Sequence, residues 1–140
     1  MNQSSILVVD DDSEDLEMIE EAFKQLNITR PVQYFKTGDE LLNYLKSSNV
    51  SPFLIICDLY LPGETGFEIK ERLTADEQLR YQAVPFIYWS TSASEKQIQH
   101  AYDLPAQGFF FKASNFNELC DTLKIIIDYW EKSKHPKNVV

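Results

Sequence analysis

Two short apolar runs in this chain each end directly in aspartate. The runs and the acids that follow them are residues 6–9 with Asp10, Asp11 and Asp12, and residues 53–57 with Asp58. Short apolar runs rich in β-branched residues are typical of buried strands. Carboxylates at the ends of parallel strands share one edge of the sheet, where ligands usually bind. If the two strands are neighbours, repulsion between the acids favours a bound divalent cation with oxygen ligands, and Mg²⁺ is the expected one.

The composition is typical of one soluble globular domain. Of the 140 residues, 44% are hydrophobic and 25% charged, and no apolar stretch is long enough to cross a bilayer. A formal net charge of -9 argues against direct DNA binding. Residues 1–5 carry no positively charged side chain, so we expect no signal peptide and a cytoplasmic protein. We expect one domain over residues 1–132 and a flexible tail over residues 133–140.

Strand-like and helix-like segments alternate five times along the chain. The predicted strands are residues 6–9, 31–36, 53–57, 85–89 and 109–111. Ser13 is predicted to cap the first helix, and residues 62–66 are predicted to form a turn. This alternation predicts an α/β fold with a doubly wound, five-stranded parallel sheet. In the order 2-1-3-4-5, the flavodoxin-like (βα)5 arrangement, the first and third strands are neighbours, and Asp10, Asp11 and Asp58 share one crevice.

Two further polar side chains are predicted to reach the same edge. Ser90 ends the fourth strand, and Lys112 follows the fifth. Carboxylates that hold Mg²⁺, with a hydroxyl and an ammonium, suit a phosphoryl group, because the cation and the lysine offset its charge. The chain has no glycine-rich phosphate loop, so no nucleotide site is expected. A carboxylate can itself be the nucleophile and form an acyl phosphate, and Asp58, which stands alone on its strand, is the best candidate.

Taken in order, these residues resemble the receiver domain of bacterial two-component response regulators. The resemblance covers nearly the whole chain at close to the family's spacing, and five such elements together are highly specific. A finer resemblance, to the single-domain regulators that work with bacterial phytochromes and related histidine kinases, lies in residues 102–134. The matching residues are Val8, Val9, Asp10, Asp11, residues 57–62, Gly66, Pro85, Ser90 and Lys112.

The resemblance implies a role for each acid. Asp58 matches the phosphoacceptor, which receives a phosphoryl group from a sensor histidine kinase or a phosphotransfer protein. Asp10 and Asp11 match the acidic pair that holds Mg²⁺, and the backbone carbonyl of Tyr60 would supply a further metal ligand. Such a domain is not an enzyme with a separate substrate, although it assists its own phosphorylation and dephosphorylation.

Three more positions match functional residues of the family, and a fourth position departs from the family's pattern. Ser90 matches the switch hydroxyl, Lys112 the lysine that pairs with the phosphoryl group, and Phe109 a rotating aromatic residue that is often tyrosine. Ala113 stands where the family has proline after a cis bond, and the cis form costs a non-proline residue about 2.5–4 kcal/mol, which favours trans. The resemblance implies that phosphorylation alters the surface of the fourth helix, fifth strand and fifth helix, which contacts a downstream protein or a second copy.

Other classes of function remain open from the residues alone. The main alternative is an unphosphorylated receiver-like module that acts only through protein contacts, although the complete set of polar residues speaks against it. A phosphohydrolase with an aspartyl nucleophile commonly has another aspartate two residues later, where this chain has Tyr60. A flavin-binding protein of similar fold needs a hydroxyl-rich phosphate loop after the first strand, and this chain has none there.

Overall fold

Strands and helices alternate along the chain and build a parallel sheet with helices on both faces. The protein is described by a computed structural model over residues 4–48 and 50–136. Its elements, in chain order, are β1 (Ile6–Val9), α1 (Ser13–Gln25), β2 (Val32–Phe35), α2 (Gly38–Ser47), β3 (Leu54–Asp58), β4 (Tyr60–Leu61), β5 (Glu64–Thr65), α3 (Gly66–Ala75), β6 (Phe86–Ser90), α4 (Glu95–Asp103), β7 (Gly108–Phe111) and α5 (Phe116–Lys132).

The sheet has the predicted order. Its five strands run β2-β1-β3-β6-β7, and every neighbouring pair is parallel. The two-residue strands β4 and β5 form a separate antiparallel pair where the sequence predicted only a turn over residues 62–66. Because β6 and β7 are the predicted fourth and fifth strands, the α/β class and the order 2-1-3-4-5 are confirmed.

The central strands β1, β3 and β6 are buried on both faces, because their side chains alternate between two faces that are each covered by helices. Ile6 and Val8 of β1 pack with α1 and α5 on one face, while Leu7 and Val9 pack with α2 and α3 on the other. A strand covered on both sides reads as a continuous apolar run, which explains the sequence of β1. Within the described residues, no helix combines the length and the apolar character needed to cross a membrane.

The first helix is capped by Asp12, so the prediction of Ser13 as its cap was wrong by one residue. Asp12 has an extended backbone, and its Oδ1 accepts hydrogen bonds from the backbone N–H groups of Glu14 (2.9 Å) and Asp15 (3.3 Å). The Asp12 carboxylate pairs two N–H groups that would otherwise lack a partner, and its negative charge lies at the positive end of the helix. Ser13 is therefore the first helical residue, and Asp15 lies in the first turn.

The last helix ends at Lys132. Beyond it, His135 Nε2 lies 2.7 Å from the carbonyl oxygen of Phe53, and the His135 and Trp130 ring centroids are 5.4 Å apart. Residues 137–140 lie outside the described part of the chain. The domain over residues 1–132 and the flexible tail over residues 133–140 therefore stay predictions.

Tyr88 of β6 places a hydroxyl in the core. Its side chain is fully buried, and the rings of Phe67, Phe86 and Phe109 surround it at centroid distances of 5.4, 5.1 and 5.8 Å. Among the described residues, the hydroxyl has no hydrogen-bond partner. Burial raises the pKa of Tyr88 far above its ordinary value, so the hydroxyl stays neutral.

We expect Tyr88→Phe to leave the protein as stable as before or more stable by about 1 kcal/mol. A buried, unpartnered hydroxyl costs about 1–3 kcal/mol, and phenylalanine keeps the ring while removing that cost. Urea denaturation measures the change. The matched control is Tyr129→Phe, because Tyr129 is 62% exposed, and its effect should stay within about 0.5 kcal/mol. If Tyr88→Phe, but not Tyr129→Phe, lowers the free energy of unfolding by more than about 1 kcal/mol, the prediction is contradicted. Removing an unpartnered hydroxyl should not destabilise the protein.

Candidate functional site

Two buried aspartates lie side by side at the carboxyl edge of the sheet. β1 pairs with β3 in the register Val9 with Cys57, so the next residues, Asp10 and Asp58, end neighbouring strands. Asp10 is 0% exposed and Asp58 is 6% exposed. The sequence predicted that Asp10, Asp11 and Asp58 would share a crevice. The structure brings Asp10 and Asp58 together, whereas Asp11 is exposed and its carboxylate is not part of the group. Carboxylate oxygens of Asp10, Asp58 and Asp15 all lie within 4.8 Å of one another.

Lys112 lies at the centre of these three carboxylates. Its Nζ is 2.6 Å from Asp15 Oδ2, 2.9 Å from Asp58 Oδ2 and 3.1 Å from Asp10 Oδ2. The same nitrogen lies 4.8 Å from the centroid of the Trp89 ring. The Lys112–Ala113 bond is trans, and the cis bond of the described residues is Val84–Pro85. Lys112 therefore reaches Asp58 with a trans bond to Ala113.

Burial and pairing set the charges of this cluster. Burial raises the pKa of Asp10 to about 6, against the opposing effects of the Asp12 N–H and the Lys112 ammonium. Burial also lowers the pKa of Lys112, but its hydrogen bonds to Asp15 and Asp58 outweigh this and hold it above its ordinary value. Lys112 is thus fully charged at neutral pH. When all three carboxylates are ionised, one ammonium leaves two negative charges unbalanced.

The donor set fits a divalent cation. Asp10 Oδ2 is buried and, among the described residues, makes an ion pair with Lys112 but no hydrogen bond of good geometry. Carboxylate oxygens and an excess of negative charge suit Mg²⁺, a hard cation that prefers oxygen ligands. Asp10 and Asp58 are the residues that would hold it, and Asp15 lies within reach of the same position.

Two of the predicted metal ligands lie at the margin of the cluster. Asp11 is exposed, and its carboxylate is not one of the three that lie together. The backbone N–H of Tyr60 donates to Asp58 Oδ1 at 3.1 Å, so the peptide group between Leu59 and Tyr60 lies against the carboxylate. The Tyr60 hydroxyl contacts Gln97 Nε2 at 2.8 Å and so connects this loop to α4. Metal ligation by Asp11 and by the Tyr60 carbonyl stays a prediction.

The two predicted switch residues lie on neighbouring strands. Ser90 is fully buried, and its hydroxyl donates to the Ser92 carbonyl oxygen at 2.8 Å, so it is engaged with the loop that follows β6. Phe109 is partly buried, and its ring lies 5.8 Å from Tyr88 and 6.1 Å from Phe111, measured between centroids. Ser90 follows Trp89, the cross-strand partner of Asp58, but the structure brings neither Ser90 nor Phe109 into the carboxylate cluster.

Asp15 is the residue of this cluster that sequence reasoning missed. Its position favoured interaction with the positive end of α1, which gives no reason to expect contact with a lysine 97 positions later. The contact depends on the direction of α1 relative to β7, and no local pattern encodes that direction. The available signal was the place of Asp15 in the first turn of α1, a few residues after the end of β1.

A doubly wound sheet with buried aspartates and a lysine at the carboxyl ends of its strands defines a receiver-type signalling domain. The model of the response regulator receiver domain family matches residues 6–124, and the chain belongs to this family. Receiver domains act in two-component signalling, interact with histidine kinases or phosphotransfer proteins, and bind a divalent metal at an acidic pocket. The fold and the family predicted from the sequence are thereby confirmed.

Three relatives illustrate the similarity. The probable methanogenesis regulatory protein FilR2 of Methanothrix harundinacea is 29% identical over 129 residues, which covers 89% of this chain and 82% of FilR2. The phosphorylated cyanobacterial phytochrome response regulator RcpA is 28% identical with a TM-score of 0.84, over 96% of this chain and 99% of RcpA. The Mn²⁺-bound response regulator Rcp1, at 24% identity, has a TM-score of 0.81 over 96% of this chain and 99% of Rcp1.

The raised pKa of Asp10 predicts how the stability of the metal-free protein depends on pH. Because the folded state binds this proton more tightly, the stabilisation is fully present below the ordinary pKa of 3.8 and is lost as pH rises through about 6. The difference between the two pKa values corresponds to about 3 kcal/mol. Asp10→Asn cannot lose a proton, so its stability relative to wild type should increase by about this amount between roughly pH 4 and pH 7.5.

Urea denaturation in the presence of a chelator measures both proteins across this range. A stability difference that stays constant with pH would mean that Asp10 is not the buried titrating group described here.

Proposed function

We propose that Asp58 accepts a phosphoryl group from a histidine kinase or a phosphotransfer protein in a Mg²⁺-dependent reaction. The observation that carries this proposal is the placement of Asp58, which is buried beside Asp10 with Lys112 Nζ 2.9 Å from its Oδ2. Family membership supports the same role, and similarity to the phosphorylated RcpA agrees with it.

The transfer follows from the chemistry of a carboxylate held in this way. A carboxylate oxygen of Asp58 attacks the phosphorus of the donor phosphohistidine in line. A P–O bond forms as the P–N bond breaks, and the electron pair stays with the leaving imidazole nitrogen. Lys112 stabilises negative charge on the phosphoryl oxygens, and the N–H of Tyr60 keeps the Asp58 carboxyl oriented. Asp10, Asp11, Asp58 and the Tyr60 carbonyl would hold Mg²⁺, which would neutralise part of the negative charge.

Phosphorylation then shifts the protein towards a second state. Ser90 exchanges its hydrogen bond with the Ser92 carbonyl for one with a phosphoryl oxygen, and Phe109 moves inward behind it. The affected surface consists of α4, β7 and α5. It carries exposed apolar side chains at Phe111 and Ile125, which suit contact with a downstream protein or a second copy of the chain.

We expect Asp58→Asn to abolish phosphorylation. Wild-type protein treated with a small phosphodonor and Mg²⁺ should gain the mass of one phosphoryl group and lose it on treatment with hydroxylamine, which cleaves acyl phosphates. The variant has an amide in place of the carboxylate nucleophile and should gain nothing. Intact mass spectrometry makes the measurement. Asp12→Asn is the matched control, because asparagine caps a helix about as well as aspartate, and it should be phosphorylated like wild type.

Labelling that persists in Asp58→Asn would assign the phosphoryl group to another residue. Wild-type protein that binds Mg²⁺ but accepts no phosphoryl group from small donors or kinases would favour the alternative, an unphosphorylated receiver-like module that acts through protein contacts.

A further inference from the structure

We propose that Asp15 is a positioning residue for Lys112 and that it determines how readily the ammonium gives way to a divalent cation. This inference deepens the proposed function and rests on it. Asp15 makes the shortest of the three contacts to Lys112 Nζ, at 2.6 Å, and is the only one of the three carboxylates that comes from a helix.

The position of Asp15 is fixed relative to the buried acids by a continuous series of hydrogen bonds. The backbone N–H of Asp12 donates to Asp10 Oδ1 at 2.9 Å. Asp12 Oδ1 in turn accepts from the N–H of Asp15 at 3.3 Å. The Asp15 carboxylate then accepts from Lys112, which also donates to Asp58. The first turn of α1 is therefore connected to the strand ends of β1 and β3, and the backbone of Asp15 cannot shift without disturbing the helix cap.

Lys112 competes with a cation for the same oxygen atoms. Its Nζ lies within ion-pair distance of Oδ2 of both Asp10 and Asp58. A cation bound by these two carboxylates requires the ammonium to move away, because like charges repel at such distances. Asp15 is more exposed, with 25% of its side chain accessible, whereas Asp10 is fully buried. It offers Lys112 a carboxylate on the solvent side, so the ammonium can withdraw and still be paired.

Loss of the Asp15 charge should therefore weaken Mg²⁺ binding through Lys112. Without Asp15, Lys112 has only Asp10 and Asp58 as partners and is held on the atoms that the cation needs. We expect Asp15→Asn to reduce the Mg²⁺ affinity of the unphosphorylated protein about three- to tenfold, in the lower part of the range expected for coupling between groups in contact. Asp15→Glu, which restores a carboxylate in the first turn, should recover most of the affinity.

A double-mutant cycle separates action through Lys112 from direct action on the cation. The variants are Asp15→Asn, Lys112→Met and the double variant, and the measurement is calorimetric titration with MgCl₂ alone. In the Lys112→Met background, Asp15→Asn should change the affinity less than about twofold. Glu14→Gln is the matched control, because Glu14 is an exposed acid in the same helical turn, and its loss should also change the affinity less than about twofold.

The fluorescence of Trp89 gives a second readout that needs no metal. Trp89 is the cross-strand partner of Asp58, and its ring lies 4.8 Å from Lys112 Nζ. The only other tryptophan is Trp130, so Trp130→Phe isolates the signal. In this background, Asp15→Asn should shift the metal-free emission of Trp89, and the shift should vanish in Lys112→Met.

Two results would overturn the proposal. An equal loss of Mg²⁺ affinity on Asp15→Asn with and without Lys112 would make Asp15 a direct ligand or a simple charge. Unchanged affinity and unchanged Trp89 emission in Asp15→Asn would show that Asp15 does not position the lysine. Both measurements use unphosphorylated protein, so they are independent of whether Asp58 accepts a phosphoryl group, and a failure of the proposed function is recognised separately by mass spectrometry.

Discussion

The rest of this structure depends on one constraint, which is that two buried carboxylates are held next to each other. Parallel pairing of β1 with β3 places Asp10 and Asp58 at adjacent strand ends, and both are buried. Removing like charges from water and holding them together is costly unless positive charge is supplied nearby. Lys112 supplies it from the end of β7, and a divalent cation can supply more. The phosphoryl group proposed for Asp58 would bring further negative charge to this edge, so its acceptance would need that cation as well as Lys112.

The shared ammonium of Lys112 connects Asp58 to β7, the strand at one edge of the sheet. Lys112 follows β7 directly, and Phe109 lies in the same strand. Phe109 packs on Tyr88 of β6, which is the strand next to that of Asp58. The proposed change of charge at Asp58 would alter the contacts of Lys112, and β7, which Lys112 follows, carries the exposed side chain of Phe111. The ion pairs of Lys112 and the ring contacts of Phe109 thus both involve β7 or the residue that follows it.

Much of this arrangement could be predicted because parallel strands obey a simple rule. Their carboxyl ends meet at one edge, so the residues that follow apolar runs must be neighbours if the strand order is right. That rule brought Asp10, Asp58 and Lys112 together from sequence alone. It could not predict the hydrogen bond of Ser90 with the Ser92 carbonyl, because a hydroxyl rotates to whichever acceptor the loop presents. It also missed the β4–β5 pair, since two-residue strands leave no periodic signal.

The acidic residues after β1 show how the start of a helix assigns different roles to neighbouring carboxylates. Asp10 ends the strand and is buried, Asp11 is exposed, and Asp12 caps α1. An α-helix turns about 100° per residue, so neighbouring residues of its first turn face different directions. Asp15 faces Lys112, whereas Glu14 beside it is exposed to solvent. The acids that follow β1 thus differ in chemistry, because the start of the helix places each carboxylate in a different environment. The amino-acid composition does not indicate these environments.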